Sequence, residues 1–358
     1  MAANGSSPTA QPLIARVPGS PTAVVGTADG RWAFASLSAE TGGEIAVMAL
    51  GHGAPRLVRT VQLPPAMTGA FGMTLTHDGR LLLVAASTAT AVMSVPALED
   101  GRGNPMAGVL ADAGAGQIEV AVSDDDRYAF VTDETTGALS VFDLAVALQH
   151  GFGAHGVAVG VVPLAPGPIG VTLSPDGTLL YVTTFGAYGP HGQLWVIDAS
   201  RAEGGAGSSA VLARAAAGCQ PVRVAVSPDG STVWVTALQS NALLAFSAAA
   251  LRKDPARALR AVVRTGSEPV GLALADDGRV ALVGNSNRGL VPGTGGKAPQ
   301  TVAVINTAAA LAGRPALLGF VPVGVFPRDL SVDPAGGQVL MANFNSGTIE
   351  EFPVPEAG

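Results

Sequence analysis

An Asp-Gly turn returns about every fifty residues along this chain, and nothing else in the sequence restricts the fold as strongly. The turn Asp falls at Asp29, Asp78, Asp125, Asp176, Asp229 and Asp277, and Ala335 takes the equivalent place in the last copy. Neighbouring positions differ by 49, 47, 51, 53, 48 and 58 residues. Gly tolerates the positive φ of a tight hairpin and Asp bonds its own backbone, so each pair marks a strand–turn–strand unit. Asp126 replaces Gly in the third copy and still suits that conformation. A period near fifty with three visible strands per copy predicts a propeller blade rather than a solenoid coil.

After each turn comes a short run of β-branched, aliphatic or aromatic residues, such as Trp32-Ala33-Phe34, Tyr128-Ala129-Phe130-Val131, Val233-Trp234-Val235 and Val339-Leu340-Met341. Runs of this length bounded by turn signals read as buried strands. In the fourth copy Ser174-Pro175-Asp176-Gly177 leads to Tyr181-Val182-Thr183-Thr184 and then Leu194-Trp195-Val196-Ile197-Asp198. That order resembles the YVTN repeat of seven-bladed propellers grouped with lactonase-like proteins, and the resemblance covers almost the whole chain. It implies an all-β fold: seven four-stranded antiparallel blades in a ring. The motif consists of strand and turn residues, so it speaks for fold more than for activity.

Taken in order, residues 1–11 are small and polar, a composition that predicts disorder. Residues 12–354 read as one propeller domain and 355–358 as a tail. Leu13 to Val17 reads as a strand, whereas the seventh copy reaches Phe352-Pro353-Val354 without a fourth strand of its own. The N-terminal strand is therefore expected to complete blade seven, closing the ring and hiding two sheet edges. Ala-rich stretches after the third strands (Ala145–Leu148, Ala248–Leu251, Ala308–Leu311) predict single helical turns on the turn face, capped by Asp143, Asp198 and Asn306. Two connections on the opposite face, Phe185–Gly192 and Asn287–Pro299, exceed what the fold needs and read either as a lid or rim or as tolerated insertions.

The net charge of −7 and pI near 5.2 disfavour a nucleic-acid surface. No apolar run reaches the roughly 18 residues of a membrane span. One Cys excludes an internal disulfide, and the first residues show no signal peptide, which fits a cytoplasmic chain or an exported one that has lost its leader. The expected partner is a small molecule at the channel mouth, with the chain a monomer. Neither His-Glu-x-x-His nor Gly-x-Ser-x-Gly occurs, and Gly295-Gly296-Lys297 fails as a phosphate loop because Val291 and Ala298 stand where Gly and Ser/Thr are needed.

Propeller geometry offers a better lead, because the first strand of every blade lines the central channel. Six residues before each turn stand Ala23, Gly72, Glu119, Gly170, Arg223, Gly271 and Asp329. Four are small and three are charged. Glu119 and Asp329 suit a general base or metal ligands, with Arg223 clamping an anion or developing oxyanion. Equally, Arg223 neutralises two carboxylates and plugs a solvated channel. Eight residues after the turn, Asp133, Asn285 and Asn343 offer oxygen ligands that suit Ca²⁺ or Mg²⁺, or else cap strand ends. His191 is placed beside the mouth as a candidate acid, and Phe71, Tyr188, Gln220, Arg288, Phe326 and Arg328 as candidate substrate contacts.

What the resemblance implies is a lactonase-like enzyme that opens a lactone or cyclic ester by water attack. Glu119 would be the base, Arg223 would polarise the carbonyl, and Asp329 would orient the water or a cation. Two other classes stay open: a non-catalytic ligand- or protein-binding scaffold, and a lyase or cyclase of a biosynthetic pathway.

Overall fold

The repeated turns are held by one side-chain network. In the first blade Thr27 Oγ1 donates to Asp29 Oδ1 at 2.6 Å, Arg31 N donates to the same oxygen at 3.0 Å, and Trp32 N donates back to Thr27 Oγ1 at 3.2 Å. The same arrangement recurs at Thr76/Asp78, Ser123/Asp125, Ser174/Asp176 and Ser227/Asp229. Hydrogen bonds to the charged carboxylate hold these Asp side chains below the usual range. The turn carboxylates are thus used up in shaping the hairpins.

The computed structural model describes residues 11–39, 42–111, 116–186, 192–287, 300–333 and 337–357. They form seven four-stranded antiparallel sheets arranged as blades around one axis. Six blades follow the chain order from inner to outer strand, as in Ser20–Gly26, Trp32–Ala39, Gly42–Ala49 and Arg56–Gln62 of blade one. Blade seven takes Pro327–Val332, Gln338–Asn343 and Thr348–Pro353 from the end of the chain and its outer strand, Leu13–Arg16, from the beginning. The register there runs from Leu13 opposite Glu351 to Arg16 opposite Thr348.

The core is divided among the interfaces between blades. Alternation along each second strand sends neighbouring residues to opposite sides. Phe34 packs toward blade two while Ala33 and Ala35 pack toward blade seven. Tyr181 packs toward blade five, and Leu180 and Val182 toward blade three. Trp234 packs toward blade six, and Val233 and Val235 toward blade four. No sheet buries both faces without two neighbours, which is why the ring must close.

A hydroxyl seam ties adjacent blades at the level of the channel mouth. Ser36 Oγ donates to Phe71 O at 2.5 Å, Thr132 Oγ1 to Ile169 O at 3.1 Å, Thr183 Oγ1 to Val222 O at 2.7 Å, and Thr236 Oγ1 to Val270 O at 3.0 Å. The same position carries Ala85, Gly284 and Ala342 in blades two, six and seven, which have no hydroxyl to give. The expected helical turns are present after the third strands, and Asp143, Asp198 and Asn306 cap three of them through their side chains. Beyond the last strand, Ala357 O accepts a hydrogen bond from Asn306 Nδ2, so the tail end lies against blade six.

Removing residues 1–18 takes away the outer strand of blade seven together with the buried Ala15 and Val17. The loss is expected to be about 2–4 kcal/mol, from the apolar area exposed and the strand pairing broken. Thermal unfolding of the truncated chain should shift down by several degrees, and a peptide spanning residues 11–19, added in excess, should restore part of the loss. An unshifted transition would contradict closure by this strand.

Candidate active site at the channel mouth

Each inner strand begins with a register irregularity, for example between Pro168 and Val171 and between Pro221 and Val224. The irregularity turns the residue six places before the turn toward the axis. In blades three and five its backbone is pinned: Glu119 N donates to Thr132 Oγ1 and Arg223 N to Thr236 Oγ1, each at 3.0 Å. The side chains of Glu119, Arg223 and Asp329 then meet on the axis. Arg223 Nη2 lies 3.1 Å from Glu119 Oε2, and Arg223 Nε lies 3.5 Å from Asp329 Oδ1. Asp329 Oδ2 also accepts a hydrogen bond from Val24 N of blade one at 3.3 Å. All three side chains are under a fifth exposed, at 15%, 12% and 17% for Glu119, Arg223 and Asp329.

The small residues at this level make the room. A Cβ on Gly72 would stand 2.3 Å from Glu119 Oε1, so the carboxylate occupies the space that a side chain in blade two would take. Burial pushes the Glu119 carboxyl up to about 7 from its ordinary 4.5; Arg223 pulls it down and Asp329 pushes it up, and burial wins. Burial also raises Asp329, against the pull of Arg223. Burial disfavours the Arg223 cation, but its two carboxylates outweigh this and hold it firmly protonated.

The trio stands between two spaces. On the mouth side lies a cavity of about 170 Å³, walled by Ile118, Ile169, Phe185, Val222, Leu238, Val270 and Phe326, with Arg223, Arg328 and Glu134 as its charged groups. On the other side a chamber of about 410 Å³ runs past Glu119, Thr74, Ala121 and Thr172 to His77 and Asp124 at the turn face. Arg223 therefore faces the mouth cavity, and Glu119 faces the chamber beneath it.

Of the other expected site residues, Phe326 lines the mouth cavity and is buried against Phe344, with ring centroids 5.3 Å apart. Arg328 lines it too, its guanidinium carbon 5.8 Å from the Phe71 ring and 5.4 Å from the Phe344 ring. Phe71 thus acts on the cavity through Arg328. Gln220 sits in the mouth turn with φ of +52°. Its backbone oxygen accepts from Leu238 N. His191, Tyr188 and Arg288 lie outside the described residues, as do most of the two long connections.

Asp133, Asn285 and Asn343 stand on three different blades. Each ends the second strand of its blade, buried and bonded within its surroundings there. Ser140 Oγ donates to Asp133 Oδ2, Asn285 Nδ2 donates to Thr265 O and Thr301 Oγ1, and Asn343 Nδ2 donates to Thr348 Oγ1. These bonds are those of strand ends, and Asn285 Oδ1 and Asn343 Oδ1 are buried without accepting a hydrogen bond among the described residues. Among the described residues, no group of three or more His, Cys, Asp or Glu side chains is placed to hold a metal ion.

Two features of the mouth escape a count of alternate positions. Seven residues before the turn stand Thr22, Phe71, Ile118, Ile169, Val222, Val270 and Arg328, a set in which five are apolar. Nine residues before it, blades two to four carry Gly69, Gly116 and Gly167 at positive φ, whereas blades five to seven carry Gln220, Glu268 and Phe326 at +52°, +53° and +60°. Non-glycine residues in that region cost about 1–2 kcal/mol each. Side chains are kept at the mouth on that side of the ring despite the cost.

Seven four-stranded antiparallel blades in a closed ring define the chain as a seven-bladed propeller. The family model described as lactonase, 7-bladed beta-propeller, matches residues 73–358, and the chain belongs to that family. No curated protein matches the chain. Among solved structures, hydrazine synthase of Kuenenia stuttgartiensis is similar with a TM-score of 0.73 at 16% identity, covering 98% of both chains. The Cps50 (Swd1) β-propeller domain of Myceliophteria thermophila is similar with a TM-score of 0.69 at 14% identity, covering 96% of this chain and 98% of that one. At such identities the likeness concerns the fold. No described helix is long and apolar enough to cross a membrane.

The raised Glu119 carboxyl links stability to pH. Between about pH 4.5 and 7 the folded chain binds this proton more tightly than the unfolded chain does. The stability linked to that proton is complete below about 4.5 and is lost as pH rises through about 7. At ~1.4 kcal/mol per pH unit the loss is on the order of 3 kcal/mol. Denaturant unfolding of Glu119→Gln should show a flatter stability profile than wild type across this window; parallel profiles would refute the assignment.

Proposed function

We propose that this chain is a lactonase-like hydrolase that opens a small lactone at the channel mouth. The observation that carries the reading is a carboxyl poised near neutrality, in contact with a buried arginine that floors a small cavity. A base works best when its pKa lies near the working pH, and an arginine aimed at a carbonyl oxygen stabilises the charge that develops there.

In this reading the lactone enters from the mouth, with its carbonyl oxygen against Arg223. A water beside the Glu119–Arg223 pair gives its proton to Glu119 as the water oxygen attacks the carbonyl carbon. The carbonyl electron pair moves to the oxygen held by Arg223. Collapse of that intermediate breaks the ring C–O bond, and Glu119 returns the proton to the departing alkoxide, giving a hydroxy acid. Asp329 is a positioning residue: it holds Arg223 from the far side and is itself held by Val24 N. What supports the pairing of roles is the 3.1 Å contact between Glu119 Oε2 and Arg223 Nη2, which sets the base beside the group that takes the oxyanion.

On a panel of lactones, Glu119→Gln is expected to lower kcat at least about a hundredfold, the scale of acid–base catalysis. The wild-type rate should rise with pH along a limb centred near 7, and the variant should lack that limb. Gly72→Ala provides a second probe, because its new Cβ displaces a flexible carboxylate rather than backbone and leaves the charge count unchanged. It should fold and lose most activity. Near wild-type turnover in both variants would overturn the assignment of Glu119.

A further inference from the structure

The walls of the chamber beneath the trio favour water. Four residues before the turn, six blades carry the small side chains of Thr74, Ala121, Thr172, Ala225, Ala273 and Ser331, and the seventh carries Val25. All seven residues keep part of their surface exposed, although they lie inside the ring. Two residues nearer the mouth, Ala23, Gly72, Gly170 and Gly271 are buried, and Glu119, Arg223 and Asp329 meet on the axis. The small-walled stretch thus runs from the turn face up to the trio.

The hydroxyls along this stretch have poor partners within the protein. Thr74 Oγ1 and Thr172 Oγ1 each reach only the carbonyl of the following residue, at 3.4 and 3.5 Å, which is long for a hydroxyl donor. Ser331 Oγ is buried without a hydrogen-bond partner among the described residues. Water satisfies groups of this kind where a polar space is roomy enough, and the chamber measures about 410 Å³.

Glu119 stands at the deep end of the chamber and is among its lining residues. The charges that act on its carboxyl are Arg223, Asp329 and Arg328, whereas the inner strands on either side carry Gly72 and Thr74, and Gly170 and Thr172. At the outlet stand His77 and Asp124. His77 Nδ1 lies 2.9 Å from Asp126 Oδ1, and Asp126 also accepts from the backbone of His77 and Asp78. A carboxylate only accepts, so neutral His77 donates from Nδ1 and keeps Nε2, 3.9 Å from Asp124 Oδ1, as a proton acceptor.

We propose that the chamber is a hydrated proton path through which Glu119 exchanges its proton with solvent at the turn face. In each transfer a water or hydroxyl accepts one proton and donates another. Thr74, Thr172 and Ser331 therefore pass the charge without keeping it, and His77 Nε2 takes it up at the outlet. The path requires only that Glu119 titrates, and it is independent of whether the trio hydrolyses a lactone.

Denaturant unfolding across pH, compared between each chain and its Glu119→Gln counterpart, isolates the titration of Glu119. In the wild type that difference should stop falling near pH 7. Thr74→Val combined with Thr172→Val keeps the shape of the wall and removes two hydroxyls. Poorer solvation of the carboxylate should move the end point up by at least about half a pH unit. Thiol labelling tests the route, in a Cys219→Ala background. Thr172→Cys should react with aminoethyl methanethiosulfonate at least about a hundredfold faster than Val131→Cys, placed in the interblade core where a thiol reacts only when the structure opens. Adding His77→Trp should slow the labelling of Thr172→Cys severalfold. An unmoved end point, labelling as slow as in the core control, or indifference to His77→Trp would overturn the path. Absence of lactone turnover would remove the hydrolase alone.

Discussion

Seven twisted sheets converging on one axis leave a space that their backbones cannot fill, and here a single guanidinium, Arg223, spans it between two carboxylates. An arginine in this position is costly to desolvate unless it is paired, and a second acid shares the one cation. The result is an imbalance of charge inside the ring: two acids, one base, little solvent. Protonation of one carboxyl relieves it; burial raises both, hydrogen bonds from Val24 N and Arg223 pull Asp329 back, and Glu119 is left near 7. The same arrangement that plugs the channel therefore leaves a titratable proton at its centre. Structural and catalytic accounts of the trio describe one electrostatic situation.

Everything around the trio serves to hold that imbalance in place. Gly72 leaves space for the Glu119 carboxylate. The hydroxyls of Thr132 and Thr236 fix the backbones of Glu119 and Arg223 from within their own blades. The interblade cores keep the inner strands at fixed spacing, since no blade can shift without opening an apolar face on each side. Ring closure is the precondition for all of this. Without Leu13–Arg16, blade seven has a bare edge, and Asp329 belongs to that blade.

Much of this was legible in the sequence because propeller repeats are local. The turn Asp, the buried strand after it and the missing fourth strand of the last copy all lie within one period, so counting residues finds them. The convergence of Glu119, Arg223 and Asp329 was also readable, since a common register places side chains at a common height. The apolar ring one residue earlier was not. Strict alternation would turn Ile118, Ile169, Val222 and Val270 away from the channel side. The irregularity that opens each inner strand breaks the period of two, and no residue pattern announces it. The surroundings of Asp133, Asn285 and Asn343 are hidden from the sequence for a related reason. Their hydrogen-bond partners, such as Thr301 and Thr348, come from other strands, and spacing along the chain does not reveal them.

The hydroxyl seam is uneven. From blade three to blade six every interface has its Thr hydroxyl bonded to the next inner strand. Blade seven is joined on both sides across positions that carry Gly284 and Ala342 instead. At its junction with blade one, the hydrogen bond from Val24 N goes to Asp329 itself. Asp329 thus ties blade seven to blade one through the backbone and to blade five through Arg223. Its carboxylate is also the like charge that helps raise Glu119 of blade three. One side chain therefore stands in for the missing hydroxyl of its own blade and sets part of the proton affinity of another.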